Sequence, residues 1–212
     1  LMSMRLAVIG ASRGIGLQLT TQALAAGHSV SGLARNPERC GLRDPRLELV
    51  AGDIRNEAVL ARVCSGCDAV CVCISVAPSR APVDTFSAGA GALLPVLERD
   101  GPSRLLVVTG IGAGESRGHG GWFYDRILQP LLLGQMYADK DREEALVRRS
   151  ELDWLLVRPG RLTNGRCRGQ YRVTNSVQGL RGGSISRADV AHYMLGELER
   201  PRYHREAVHL IY

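Results

Sequence analysis

Residues 5–9 (Arg-Leu-Ala-Val-Ile) form a short strand-like run that breaks at Gly10-Ala11-Ser12-Arg13-Gly14-Ile15-Gly16. A stretch with Leu17, Thr20, Thr21 and Leu24 at helical spacing follows and stops at Gly27. Three glycines between a buried strand and a helix let the backbone come close to an anion. The first N–H groups of that helix have no partner within it and point at the same place. Glycine also serves plain tight turns. In this position, however, the spacing predicts a pyrophosphate cradle in which Gly10, Ser12, Arg13, Gly14, Ile15 and Gly16 meet a dinucleotide. No other feature of the 212 residues restricts the fold as strongly.

The rest of the chain repeats the unit. Further strand-like runs at 29–34, 47–50, 69–74, 105–109, 154–157 and 207–211 are separated by helical segments, one at 57–64 and another ending near Arg99. The runs are apolar without alternation, which predicts a doubly wound α/β domain around a parallel sheet buried on both faces. One domain over 1–212 is expected from the length. Two segments break the rhythm. Residues 110–121 hold six glycines, and 163–183 are rich in Arg, Gly, Asn and Gln with one strand-like piece at 171–173. Long irregular segments in compact domains are usually mobile or ligand-covering. Both leave the carboxyl end of the sheet, and the second is expected to belong to a small substrate-covering lobe.

An NAD site places an acid at the end of the second strand, where it binds the ribose 2′-hydroxyl. Here the stretch reads Gly32-Leu33-Ala34-Arg35, with no acid before Glu38. Arg35 with Arg13 suits a 2′-phosphate, so NADP(H) is the expected cofactor; a solvated strand-end role for Arg35 is the alternative. In Gly52-Asp53-Ile54, Asp53 can accept from the adenine amino group or simply cap a turn, with Ile54 beside it.

Composition narrows the function classes. The 27 basic residues exceed 21 acidic ones, giving net charge +6, but no run of five like charges occurs and aromatics make up only 5%. That distribution argues against nucleic acid and for arginines meeting a small charged ligand. Of the 27, Lys140 is the single lysine, which points either to a position where a guanidinium does not substitute or to chance retention on a solvated helix. Six cysteines include a lone Cys64-x-x-Cys67 without a second pair at zinc spacing, so reduced structural thiols and no metal are expected. No apolar run reaches the ~18 residues of a membrane span. Residues 1–5 lead straight into a strand without a hydrophobic leader, which predicts a cytoplasmic protein. A monomer or weak homodimer acting on a small molecule is expected.

The glycine turn resembles the signature of short-chain dehydrogenases/reductases. Leu33-Ala34-Arg35-Asn36-Pro37, Gly52-Asp53-Ile54, Leu106-Val107-Val108-Thr109, the 152–162 segment containing Val157-Arg158-Pro159-Gly160, and Ile185-Ser186-Arg187-Ala188-Asp189-Val190-Ala191 extend the likeness over essentially the whole chain. They place it beside the atypical members, the NmrA-like and biliverdin/flavin-reductase-like NAD(P)H-binding domains, with a Rossmann fold. The resemblance implies that Pro159 and Gly160 lie beside the nicotinamide and that Cys73, Ile74 and Ser75 run along its ribose. It also implies that Lys140 holds the ribose hydroxyls and that Thr109 matches the place of the family's serine. Ser186 with Asp189 reads as a capping pair for the last helix.

The family's Tyr-x-x-x-Lys is where the sequence departs. Met136 stands four residues before Lys140, and Tyr137 is one position late, so the phenol would enter the cleft from another angle. Losing a well-placed proton donor lowers simple carbonyl reduction by roughly 10²–10⁴-fold. The expectation is therefore an NADPH-dependent reductase of acceptors that stabilise their own charge, such as flavins, quinones, enones or linear tetrapyrroles. His119, Tyr124 and Tyr171 are candidate substrate contacts. An epimerase or dehydratase, and a non-catalytic NADP(H) sensor of the NmrA type, are the alternatives.

Overall fold

A computed structural model of the chain describes residues 3–77, 81–119, 133–180 and 182–212. The first half runs β1 (Arg5–Ile9), α1 (Gly14–Ala25), β2 (Ser29–Ala34), β3 (Leu47–Ala51), α2 (Glu57–Cys64), β4 (Ala69–Val72), α3 (Thr85–Asp100) and β5 (Arg104–Val108). The second half contributes α4 (Gly134–Arg149), β6 (Asp153–Pro159), β7 (Arg161–Thr163), β8 (Arg172–Thr174), β9 (Ser184–Ser186), α5 (Arg187–Glu199) and β10 (Glu206–Ile211).

Eight strands form one sheet in the order β3-β2-β1-β4-β5-β6-β10-β8, and β7 pairs with β9 in a small second sheet. This is the expected doubly wound α/β fold, with the chain crossing over between β1 and β4 and leaving a crevice at their carboxyl ends. Successive side chains feed opposite layers, as a strand's period of two requires. Leu6 and Val8 of β1 enter the core under α1 and α5, whereas Ala7 and Ile9 enter the core under α2 and α3. The helix ends follow local chemistry. Gly27, at φ +92°, ends α1, while the Asn56 side chain caps α2 by accepting from Val59 N at 3.2 Å. Ser186 Oγ accepts from Asp189 N at 3.0 Å, so the expected cap of α5 is present.

Four details of the layout go beyond the sequence pattern. The sheet is not wholly parallel, because β8 adds antiparallel to β10 at the edge. β4 ends at Val72 and not at 74; Cys73 N donates the last ladder bond to Ile9 O at 2.8 Å, and the chain then leaves the sheet. Residues 163–183 are spread over two places, between the small β7-β9 sheet and the edge of the main sheet. β8 joins the main sheet, and buried Asp189 fastens residues 168–169 by accepting from Arg168 N at 2.9 Å and Gly169 N at 2.8 Å. Residues 110–117 are anchored rather than loose: Ser116 is buried, its Oγ accepts from Gly112 N at 2.9 Å, and Gly114 N donates to Asp141 at 2.7 Å. Cys64, Cys67, Cys71 and Cys73 are free and buried, and burial pushes the Cys64 and Cys71 thiols up to about 12. They behave as small apolar side chains.

Candidate functional site

A continuous cleft follows the carboxyl ends of the strands. Its first part is a cavity of about 150 Å³ between β1, β2 and the start of α2. Gly10 and Ser12 form its floor, Ile54 and Asp53 one wall, and Arg35, Asn36 and Arg39 the other. Where an acid would read a ribose 2′-hydroxyl, two guanidiniums stand with no carboxylate side chain at the end of β2. Asp53 Oδ1 accepts from Arg55 N at 2.9 Å, so its turn-capping role is realised while the residue still lines the cavity.

The glycine turn joins this cavity to a larger one of about 950 Å³, and Arg13, Cys73, Ile74 and Ser75 line both. Each glycine has a distinct task. At Gly10 a Cβ would lie 2.8 Å from Cys73 O, and at Gly16 a Cβ would lie 2.1 Å from Gly10 O, so both are needed for the turn to close on the sheet. Gly14, at φ +60°, needs glycine for its backbone, and a Cβ there would touch only the Arg187 side chain, Nε at 3.9 Å. The α1 N-terminus carries no side-chain cap and no acid in its first turn. Bare N–H groups, an uncovered glycine and two flanking guanidiniums (Arg13 and Arg187) fit a pyrophosphate. Arg13 reaches Ser75 O at 3.1 Å and Arg187 reaches Asn164 Oδ1 at 2.8 Å, so both are positioned before any ligand arrives.

The larger cavity is the candidate reacting end. Pro159 and Gly160 close β6 on one side, and Met136, Tyr137 and Lys140 project from α4 on the other. Lys140 is buried, with Nζ 3.4 Å from Val108 O and 4.1 Å from the centroid of the Phe86 ring. Burial lowers its pKa, while Glu143, Glu144 and Asp139 act to raise it. Buried Glu143 is driven the other way, upward, by the same desolvation. Tyr137 lines the cavity as well, but its hydroxyl lies against Gly110, 3.0 Å from where a Cβ would be. Both Met136 and Tyr137 therefore reach the cleft, with the phenol packed against the β5 exit.

Thr109 also lines this cavity, yet its hydroxyl donates to Glu144 Oε1 at 2.7 Å. Glu144 belongs to a buried network. Arg158, with no exposed surface, donates to it through Nε at 3.0 Å and Nη2 at 2.5 Å, and a second carboxylate, Glu115, lies 2.8 Å from Nη1. Arg158 holds the Glu115 carboxyl well below its usual range, at about 2. The network ties α4, the end of β6 and residues 114–116 into one wall behind the reacting end. Thr109 is thereby an anchored wall residue.

A family model described as NAD(P)H-binding matches residues 10–201. The chain belongs to this NAD(P)H-binding family. Its fold is shared by solved structures of low identity. One, the anaerobillin reductase ChuY from Escherichia coli, is 23% identical with a TM-score of 0.78, the alignment covering 98% of this chain and 96% of that one. A short-chain dehydrogenase/reductase from Veillonella parvula in complex with NADP is 15% identical with a TM-score of 0.82, covering 100% and 95%. A protein from Bacteroides thetaiotaomicron described as a putative epimerase is 23% identical with a TM-score of 0.80, covering 100% and 98%.

Within this NAD(P)H-binding chain, the turn residues Gly10, Ser12, Arg13, Gly14 and Ile15 gather with Arg35, Asp53, Ile54, Cys73, Ile74, Ser75, Thr109, Tyr137, Lys140, Pro159 and Gly160 along the cleft. Three substrate candidates do not join them. Tyr171 lines neither cavity; its hydroxyl meets His192 Nδ1 at 2.8 Å and its ring packs edge-on to Tyr193 of α5. His119 lines neither as well, since its Nδ1 lies 3.3 Å from Leu180 O and its carbonyl accepts from Gly182 N at 2.7 Å. Tyr124 lies outside the described residues. Sequence reading missed Arg39, Phe86 and Arg187 as site residues. Arg39 was recoverable, four residues after Arg35 across a Pro37 turn, and Arg187 directly follows the recognised Ser186 cap. Nothing local marks Phe86.

Proposed function

We propose that the protein is an NADPH-dependent reductase acting on a planar conjugated acceptor. The observation that carries this reading is the carboxylate-free β2 end with Arg35 and Arg39, continuous with an apolar-walled cavity that presents a buried ammonium. When bound, NADPH supplies a hydride to the acceptor. Arg35 and Arg39 would hold the 2′-phosphate, while Arg13, Arg187 and the bare start of α1 hold the pyrophosphate. Lys140 would hold the ribose hydroxyls with a compact charge that a guanidinium does not reproduce. Pro159 offers no N–H and Gly160 no side chain, so the wall beside the ring stays close and apolar. Ile111, Leu133, Met136 and Leu162 exclude water and suit a flat apolar body.

The acceptor class follows from the proton donor. Met136 occupies the position four before Lys140, and the Tyr137 hydroxyl is held against Gly110, so acceptors that delocalise charge after hydride arrival are favoured over plain aldehydes and ketones. The anaerobillin reductase neighbour supports a reductase, on likeness of fold alone. The NADP complex of the Veillonella neighbour supports the cofactor in the same limited way. A non-catalytic NADP(H) sensor is the second reading, favoured by the loss of tyrosine at 136. NADPH oxidation followed against a panel of quinones, flavins, enones and simple aldehydes separates them. Turnover with conjugated acceptors and not with aldehydes is expected. Tight NADPH binding with no turnover on any member would favour the sensor.

A further inference from the structure

The larger cavity carries four cationic side chains, Arg13, Lys140, Arg161 and Arg187, and no carboxylate among the described residues that line it. Three have work at the cofactor. Arg13 and Arg187 flank Gly14, and Lys140 stands beside the end of β5. Arg161 remains. It opens β7 directly after Pro159-Gly160, with its backbone N donating to Gly183 O at 3.0 Å. Its side chain is exposed and has no hydrogen-bond or ion-pair partner among the described residues. Arg104, Arg117, Arg148 and Arg158 sit within reach of Asp or Glu, whereas exposed arginines such as Arg43 and Arg172 share the lack of an ion-pair partner among the described residues. Arg161 differs from these in lining the larger cavity.

Leu162 follows Arg161 into the cavity lining, and Ile111 and Met136 line it too. A flat apolar body lying there would bring its edge to this guanidinium. The guanidinium is a planar fork whose geometry matches a carboxylate through two parallel N–H bonds. We propose that Arg161 binds a carboxylate on the substrate, so that the acceptor is a planar conjugated acid. This rests on the reductase reading above and names the substrate class for that same cavity. No cofactor contact is assigned to Arg161.

An anthraquinone monocarboxylate and its methylamide share one flat body and differ in charge. Their affinities for the protein saturated with NADP⁺ are compared by calorimetry, for wild type and Arg161→Gln. Wild type is expected to bind the acid about tenfold or more tightly than the amide, the size of one charge-assisted contact discounted for exposure. Arg161→Gln is expected to bring the two within about twofold while leaving NADP⁺ affinity unchanged. Equal affinities in wild type, or a preference for the acid that survives Arg161→Gln, would overturn the assignment. A roughly tenfold loss of NADP⁺ affinity in the variant would instead give Arg161 to the cofactor and overturn it too. If neither probe binds, the conjugated-acceptor reading itself fails, and the inference fails with it.

Discussion

Glu144→Ala is expected to destabilise the fold by about 3 kcal/mol, the lower end of what breaking a buried ion pair costs. Glu144 accepts from Thr109 Oγ1 at 2.7 Å and from Arg158 at 3.0 and 2.5 Å, and all three residues are buried. Removing the carboxylate leaves a guanidinium with 0% exposure whose one remaining carboxylate partner among the described residues is Glu115, with a side chain 56% exposed. That surviving partner keeps the loss at the lower end of the ~3–5 kcal/mol range. For a chain of this size about 2–4 °C of Tm accompanies each kcal/mol, so a fall of about 6–12 °C is expected in thermal melts. Adding Arg158→Met removes the unpaired charge and should recover about half of the loss or more, because a buried pair is worth little against an apolar replacement. Urea denaturation of both variants measures this. A Glu144→Ala protein within about 1 kcal/mol of wild type would refute the claim that this carboxylate neutralises Arg158. A double variant no better than the single one would assign the loss to packing instead.

Gly14→Ala should weaken NADP(H) binding and cost about 1 kcal/mol of stability, because φ +60° strains any L side chain although its Cβ would touch only the Arg187 side chain. Gly16→Ala should cost more stability, since its Cβ would lie 2.1 Å from Gly10 O. Calorimetry beside urea denaturation distinguishes the two patterns. Lys140→Ala should weaken NADPH binding and turnover, and Lys140→Arg should not restore them fully, whereas Tyr137→Phe should lower turnover less than about tenfold. A Tyr137→Phe protein that binds NADPH normally yet is inactive on a wild-type substrate would return the proton-donor role to this phenol. Acid should destabilise the protein between about pH 5 and pH 2. Glu115 and Asp189 are both held at about 2 when folded, so the unfolded chain binds more protons as pH falls, and their stabilisation is present above the usual carboxylate range and lost through about 2. Glu115→Gln should flatten that loss in denaturation curves taken across the range.

The cofactor half of the cleft was legible because it is local. Gly10, Gly14 and Gly16 carry backbone requirements within one turn, and Arg35 sits at a fixed distance along the next strand. Helix α2 was readable for the same reason, as a short helical run at 57–64 that the structure places at Glu57–Cys64. The reacting end was less legible because it is assembled from distant segments. Thr109 was expected at the place of the family's serine, but its hydroxyl donates to Glu144 of α4, 35 residues on. Tyr171 lies near the expected lobe in sequence, yet β8 draws that segment to the far edge of the sheet beside β10. Residues 110–121 read only as an irregular lid or mobile loop because the ion pair that anchors Glu115, with Arg158, spans 43 residues. Side-chain pairing over such separations leaves no periodic trace in the chain.

The cofactor lying along this cleft, with its 2′-phosphate against Arg35 and Arg39, underlies every assignment at the reacting end. Calorimetric titration of wild type and Arg35→Asp with NADPH and with NADH tests it most directly. A charge-assisted phosphate contact contributes roughly 1.5–3 kcal/mol, so wild type is expected to bind NADPH about tenfold or more tightly than NADH. Arg35→Asp is expected to erase or reverse that preference. Equal affinity of the wild-type protein for the two cofactors, or an unchanged preference in Arg35→Asp, would contradict the assignment.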